Sequence, residues 1–301
     1  MMNPTIKRLE KEIKLLKKDN LDTSHLEKSL GILKQEIKSK MSAWDHVQMA
    51  RDLNRYNTKE VIASLFDDFI ELHGDRYFGD DKAIYGGIAF LGSLPVTVIG
   101  INKGTHTQDN IEANFGMVHP EGYRKTLRLM KQAEKFNRPI ITFINTPGAY
   151  PGVEAEERGQ GEAIAQNLMQ MMELSVPTIS IILGEAGSGG ALALAVTDQV
   201  WMLENAIYCI LSPEGFASIL LKDASKASDA AESMKITSKD MLQHGIVDEI
   251  IYEDKDFEEV THYMKQRLIT ELDSLSKLKS HRLKKLRYDR FRKFGDVIHE
   301  H

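Results

Sequence analysis

Residues 178–196 read TISIILGEAGSGGALALAV. An apolar run ending at Leu183 meets four glycines within seven residues (Gly184, Gly187, Gly189 and Gly190), and Ala191 to Val196 then suit a buried helix. Glycine loses more backbone freedom on folding than any other residue, so its concentration here marks a junction where main chain must approach something closely. A second stretch is built alike. FINTPGAYPG, residues 143–152, also follows an apolar strand-like run and opens onto a helical one. A helix start leaves N–H groups unpaired at the positive end of the macrodipole. Such a junction suits an anion, or a carbonyl oxygen that gains negative charge during a reaction. The competing reading is close strand–helix packing with no ligand.

The junction does not match the familiar glycine signatures. GEAGSGGA lacks the lysine of a phosphate loop, and G-x-G-x-x-G is absent as written. Ser188 lies between Gly187 and Gly189 without the outer residues of G-x-S-x-G, and no histidine pairs with it in sequence. What remains is a set of backbone amides facing an oxyanion.

Outward from these turns the chain alternates between strand and helix patterns from about Trp44. VIASLFDDFIELHG (61–74) reads as an amphipathic helix capped by Gly74. AIYGGIAFLGSLPVTVIGI (83–101) reads as a hairpin, and EGYRKTLRLMKQAEKFNR (121–138) as a helix. PIITFIN (139–145) is a short buried strand, and EAEERGQGEAIAQNLMQMMELS (154–175) one long helix. PTISIIL (177–183), QVWML (199–203) and AIYCILS (206–212) are strands, and ITSKDMLQHGIVDEIIY (236–252) reads helix, Gly245 cap, strand. Short apolar strands separated by helices imply a layered α/β domain. The first forty residues differ. Ile6, Leu9, Ile13 and Leu16, then Leu26, Leu30, Leu33 and Ile37, recur at spacings of three and four around the turn DNLDTS. They predict a hairpin of two amphipathic helices over 1–40, docked on the chain's own body or on a partner, ahead of a domain spanning 41–301. The basic, aromatic tail LKSHRLKKLRYDRFRKFG (278–295) reads as a solvated terminal helix.

Composition sets outer bounds. The 301 residues carry a formal charge of −5, with 42% hydrophobic and 28% charged residues, an ordinary soluble composition that argues against general nucleic-acid binding. A single cysteine, Cys209, excludes a disulfide framework and a multi-cysteine zinc site. The N-terminus has no apolar export segment and no run reaches membrane-spanning length, so a cytoplasmic location is expected.

Four segments carry a resemblance: ELHGDR (71–76), the long stretch from Asp109 to Met171, GEAGSGGALALAV (184–196) and LSPEGFASIL (211–220). Together they resemble the α-subunit family of bacterial acetyl-CoA carboxylase carboxyltransferases, from about Trp44 to about Asp248. The resemblance implies a crotonase-like spiral of ββα units. It implies transfer of a carboxyl group from carboxybiotin, on a biotin carboxyl carrier protein, to acetyl-CoA, giving malonyl-CoA in the first step of fatty acid synthesis. The family works as an α2β2 heterotetramer, alongside biotin carboxylase in the larger complex. Zinc belongs to the β subunit, which leaves no metal on this chain, and no membrane or nucleic-acid partner is expected. On this basis Gly189 and Gly190 supply the hole for the ureido oxygen of biotin, and Gly148 and Ala149 shape the opposite wall. Another crotonase-fold acyl-CoA activity, or a non-catalytic assembly role, is the alternative.

Other residues read more plainly. Glu154, Glu156, Glu157 and Arg158 open a helix and are structural. His106 and His119 are expected to be solvent-exposed loop histidines. Arg124 and Lys125, in a first helical turn where a cation gains nothing from the dipole, point toward a ligand or partner. Met169, Met171 and Met172 read as core packing. The chain departs from the family pattern at Thr105, Gln108, Asn145 and Ala186, and at IIYEDKDF (250–257). The first two changes put contacts to anionic ligands in doubt.

Overall fold

The computed structural model describes residues 4–19 and 21–295. Its frame is one eight-stranded sheet. β1 (Asp67–Glu71), β2 (Ile84–Leu91) and β3 (Leu94–Ile101) pair antiparallel. Next come β4 (Ile140–Thr146), β5 (Thr178–Gly187) and β6 (Gln199–Leu203), all parallel, with β8 (Glu249–Ile251) beyond β6. β7 (Ile207–Cys209) pairs with β5 outside this path. β5 therefore forks. Ile179 to Ile182 pair with β6, whereas Glu185, Ala186 and Gly187 pair with Ile207, Tyr208 and Cys209 of β7.

Helices cover both faces. A side chain at Gly86 would strike Leu129 of the helix Pro120–Lys135, and one at Gly100 would strike Thr58 of the helix Thr58–Leu65. Gly86 is opposite Ile99 in the hairpin, so Gly86 and Gly100 point to opposite faces by the two-residue alternation of a strand. Burial on both faces explains why β4 and β5 read as unbroken apolar runs rather than alternating ones.

Most elements fall where the sequence places them, with several corrections. The expected helix over 61–74 stops at Leu65. Phe66 is already extended, and 67–71 become β1, paired to β2 through a bulge between Asp67 and Ile70. The edge of β2 takes a backbone partner in place of a further helical turn. The close crossing is possible because Gly87 has no side chain to meet the Ile70 carbonyl. The expected long helix over 154–175 is two, Val153–Glu157 and Gln160–Glu173, broken at Gly159 in the left-handed region with φ +80°. The glycines expected to form a turn from Gly184 instead continue β5 to Gly187, and the helix after them is the five residues Ser188–Leu192. Met171 is buried as expected, but Met169 is 65% exposed.

The N-terminal helices Pro4–Lys18 and Ser24–Ser39 show the predicted stripe, with Ile6 and Ile13 buried and the other six positions half-buried. Lys38 joins the second helix to the body, 2.6 Å from Glu204 and over the ring of Tyr252.

The tail also departs from the solvated expectation. In the helix Ser280–Arg292, Leu283 and Arg287 are buried. Arg287 donates to both oxygens of Asp198 at 2.9–3.0 Å, and to the carbonyls of Met171 (2.7 Å) and Leu174 (2.8 Å). Asp198 in turn accepts from the amide and hydroxyl of Thr178. One guanidinium thus ties the end of the preceding helix to the start of β5. Removing one partner of a buried pair leaves an uncompensated charge, at a cost of about 3–5 kcal/mol. Arg287→Ala is expected to lower the free energy of urea unfolding by that amount. Arg287→Lys should recover only part of it, because an ammonium cannot reproduce the two-pronged contact.

Candidate active site

The two glycine turns lie against each other, main chain on main chain. A Cβ at Gly187 would strike the Pro147 carbonyl, and one at Gly190 would lie 2.6 Å from the Ala149 nitrogen and 2.7 Å from the Gly148 carbonyl carbon. Gly184 is crowded likewise, 2.6 Å from Asn145 Oδ1 and 3.0 Å from the Ala50 carbonyl. Glycines at 184, 187 and 190 thus face the segment 145–149. Gly189 differs, because its added Cβ would meet only Ile164, at 3.8 Å.

Between strand and helix stands Ser188, exposed and at φ +52°, a sparsely populated conformation for a residue with a side chain. This reversal places Gly189 and Gly190 in the first turn of Ser188–Leu192, where an N–H has no helical carbonyl four residues behind it. On the other side Gly148 adopts φ +150° and Thr146 braces the turn. The Thr146 hydroxyl donates to the Gly148 carbonyl at 2.8 Å and accepts from the Gly148 amide at 3.0 Å. That amide is spent, so Gly148 acts as wall rather than donor. Gly148, Ala149 and Gly189 are half-buried and Gly190 is buried.

The structure therefore brings Gly148, Ala149, Gly189 and Gly190 into one locality. A polar cleft of about 440 Å³ lies elsewhere, lined among others by Lys59, Glu71, Asp80, Lys82, Asp109 and Glu112.

Beneath the turns runs a charge cluster that the sequence reading missed. Glu185 is buried within β5, with Arg51 at 2.8 Å and Lys103 at 2.6 Å, and Arg51 also reaches Glu214 at 2.6 Å. Burial works to raise the Glu185 pKa, but Lys103 and Arg51 outweigh it and hold the carboxyl below its ordinary range. A lone carboxylate inside an apolar run, between Leu183 and Ala186, was the signal available in the sequence. Opposite Gly187, burial and the Glu185 charge push the Cys209 thiol up to about 11, which makes it a poor nucleophile at neutral pH.

Several side chains considered as ligand contacts are engaged internally. Lys125, with no exposed surface, donates to the Ile84 carbonyl at 2.9 Å and pairs with Asp80 at 2.8 Å. Although burial opposes it, Lys125 together with the Gly74 amide and His73 holds Asp80 down to about 2. Arg124 bonds Asp75 and the Arg158 carbonyl, each at 2.9 Å. Neither cation is left for a ligand or partner, contrary to the sequence expectation.

His119 is not an exposed loop residue. Its amide donates to Asp81, its Nδ1 lies 2.9 Å from Asn114 Nδ2, and its ring stacks on Tyr150 at 4.1 Å. His106 is exposed, as expected. Thr105 and Gln108 bond Asp109 and Glu112, and Asn145 accepts from the Glu185 amide at 3.3 Å. Arg158 reaches Glu121 at 3.1 Å, the structural role expected of it.

The sequence matches the family model described as acetyl co-enzyme A carboxylase carboxyltransferase-like over residues 2–295. The chain belongs to this carboxyltransferase family. It is 62% identical over 246 residues to the acetyl-coenzyme A carboxylase carboxyl transferase subunit alpha of Streptococcus uberis, covering 81% of this chain and 96% of that one. The protein of the same name from Streptococcus sanguinis is 60% identical over 250 residues, 82% and 97% of the two chains.

Among solved structures, transcarboxylase 12S with methylmalonyl-coenzyme A bound superimposes with a TM-score of 0.61 at 20% identity. The match covers 74% of this chain, which spans less than half of that one, 44%. A Pseudomonas malonate decarboxylase hetero-tetramer in complex with coenzyme A gives 0.59 at 15% identity, over 71% and 89%. These likenesses bear out the crotonase-like α/β fold.

Because the folded Glu185 pKa is depressed, its contribution to stability is present above the unfolded value, near 4.5, and is lost as pH falls through the folded one. Acid unfolding followed by circular dichroism should therefore steepen below about pH 4.5. Glu185→Gln should be less stable at neutral pH and flatter through that window. Equal slopes for the two proteins would contradict the assignment.

Proposed function

We propose that this chain is the α half of a carboxyltransferase that moves a carboxyl group from carboxybiotin, held by a carrier protein, to acetyl-CoA, forming malonyl-CoA. The observation that carries the reading is the pair of apposed glycine turns, in a chain 62% identical to a relative named for this role. Carboxybiotin, when bound, supplies the activated carboxyl group. The residues fit such a group in one specific respect: at Gly189, unlike Gly190, there is open space beyond the Cα, with Ile164 nearest at 3.8 Å.

The protein's part is to bind oxygen atoms that gain negative charge and to keep the reactants aligned. The Gly189 and Gly190 amides, held in a first helical turn, face such an oxygen without having to reorganise. Gly148 and Ala149 form the opposing wall and restrict where it can sit. Each donor of this kind accounts for about 3 kcal/mol of barrier, by analogy with acyl-transfer sites. Fixed backbone dipoles suit this reaction better than a titrating base, which agrees with the high thiol pKa of Cys209 and the internal pairing of Glu185, Lys103 and Arg51.

The half-buried turns gain their remaining wall from a β subunit, in an α2β2 assembly that also meets the biotin carrier and, in the larger complex, biotin carboxylase. Zinc is assigned to that β subunit. Among the described residues, no group of three or more His, Cys, Asp or Glu is placed to hold a metal, and no helix is long and apolar enough to cross a membrane. The setting we assign is fatty acid synthesis in the cytoplasm.

Gly189 and Gly190 offer unequal tests. A side chain at Gly190 meets backbone, so Gly190→Val confounds folding with function, whereas Gly189→Val has room to fold. Gly189→Val, co-expressed with the β subunit, is expected to lower malonyl-CoA decarboxylation with a free biotin analogue by about 100-fold or more, at an unchanged melting temperature. Near-normal turnover would refute the reading.

A further inference from the structure

One buried polar group at the junction of the two turns has no partner. Tyr123 has no exposed surface, and its hydroxyl has no hydrogen-bond partner among the described residues. Buried hydroxyls are nearly always bonded, so an orphan calls for an explanation. The oxygen lies 3.0 Å from where a Cβ on Gly190 would stand, and that same position is 2.6 Å from the Ala149 nitrogen. Three pieces therefore converge on the Gly190 Cα: the Gly148–Ala149 peptide, the Gly190 turn and the phenol.

The ring is held firmly. Tyr123 belongs to the helix Pro120–Lys135, and at its start Asp81 accepts from the His119 amide at 2.7 Å. Burial, with the Asp81 charge, drives the phenol pKa far upward, so the group stays a protonated donor. At the far end of the opposing segment, Gln160 donates to the Tyr150 carbonyl at 2.9 Å. The segment 148–150 is thus tied at one end by the Gln160 amide, while the Tyr123 hydroxyl stands near its other end, beside Gly190.

We propose that Tyr123 is a positioning residue of the glycine site. Its hydroxyl is the stop against which Gly190 and the Gly148–Ala149 peptide are spaced, and its unspent donor becomes bonded when the site is loaded. The inference rests on the function proposed above and extends it to a side chain in the core. A purely structural tyrosine would act differently. Its loss would lower stability and leave turnover and ligand response alone.

The test uses the complex with the β subunit and two variants, Tyr123→Phe and Tyr123→4-aminophenylalanine, the second restoring a donor at the ring's end. Tyr123→Phe is expected to lower kcat about 10- to 100-fold, the scale of a small misplacement of reacting groups. The KM for acetyl-CoA should stay unchanged, and so should the melting temperature of the unloaded complex. The rise in melting temperature produced by a saturating biotin analogue should shrink in Tyr123→Phe and return with the amino variant.

Full turnover and an undiminished ligand-induced rise in Tyr123→Phe would overturn the inference. Failure of Tyr123→Phe to assemble would overturn it too, since removing an unbonded hydroxyl should not unfold the chain. Gly189→Val separates this failure from that of the parent reading. An inactive Gly189→Val beside a normal Tyr123→Phe rejects only the role of Tyr123, whereas an active Gly189→Val rejects both.

Discussion

The molecule is organised around a contact that has no side chains in it. Between β4 and β5 the sheet ends in two turns whose backbones touch, with Gly187 on the Pro147 carbonyl and Gly190 on the Gly148–Ala149 peptide. Nothing larger than hydrogen fits at either position. This closeness answers why so many glycines follow a buried strand: three of the four are there for approach, and only Gly189 has open space above it. Packing and the proposed chemistry are therefore compatible accounts of the motif. The approach between the two turns fixes the amides, and fixed amides are what stabilisation of a developing charge requires.

The frame around this contact is held by buried charge as well as by apolar packing. Glu185 sits one residue after Gly184 in a strand that is buried on both faces, and it is tolerated because Lys103 and Arg51 reach it from two other segments. Arg287 does the same at the opposite end of β5, through Asp198. The strand carrying the glycine turn is thus anchored by ion pairs at both ends.

Much of this was legible in the sequence. The alternation of apolar runs with helical patterns located β2 to β6 and the helix Pro120–Lys135, because burial on both faces leaves a plain compositional trace. The hairpin stripe was equally clear. The helix over 61–74 was misjudged because the apolar positions from Phe66 to Leu72 suit a helix face and an edge strand alike, and only the neighbouring β2 decides between them. Gly159 was read through, since a single glycine within a helical pattern does not announce a left-handed break. At the site, the glycines were visible but their partners were not. Tyr123 lies far from them in sequence, and nothing in PEGYRK says that its hydroxyl ends beneath Gly190. Lys125 shows the converse error. A cation in a first helical turn reads as available, yet Lys125 has no exposed surface and is held by a carbonyl and an aspartate.

The fork in β5 has a structural consequence. Its first half is registered to β6, while its last three residues are registered to β7, so a single strand joins two parts of the sheet. Cys209 stands opposite Gly187, and the next residue is Ser188, already held at φ +52°. β7 is thus registered to the residues that lead directly into the reversal. Directly beyond Cys209 the chain leaves Ile210 open to solvent, and Ile219 in the helical segment Ala217–Leu221 is exposed as well.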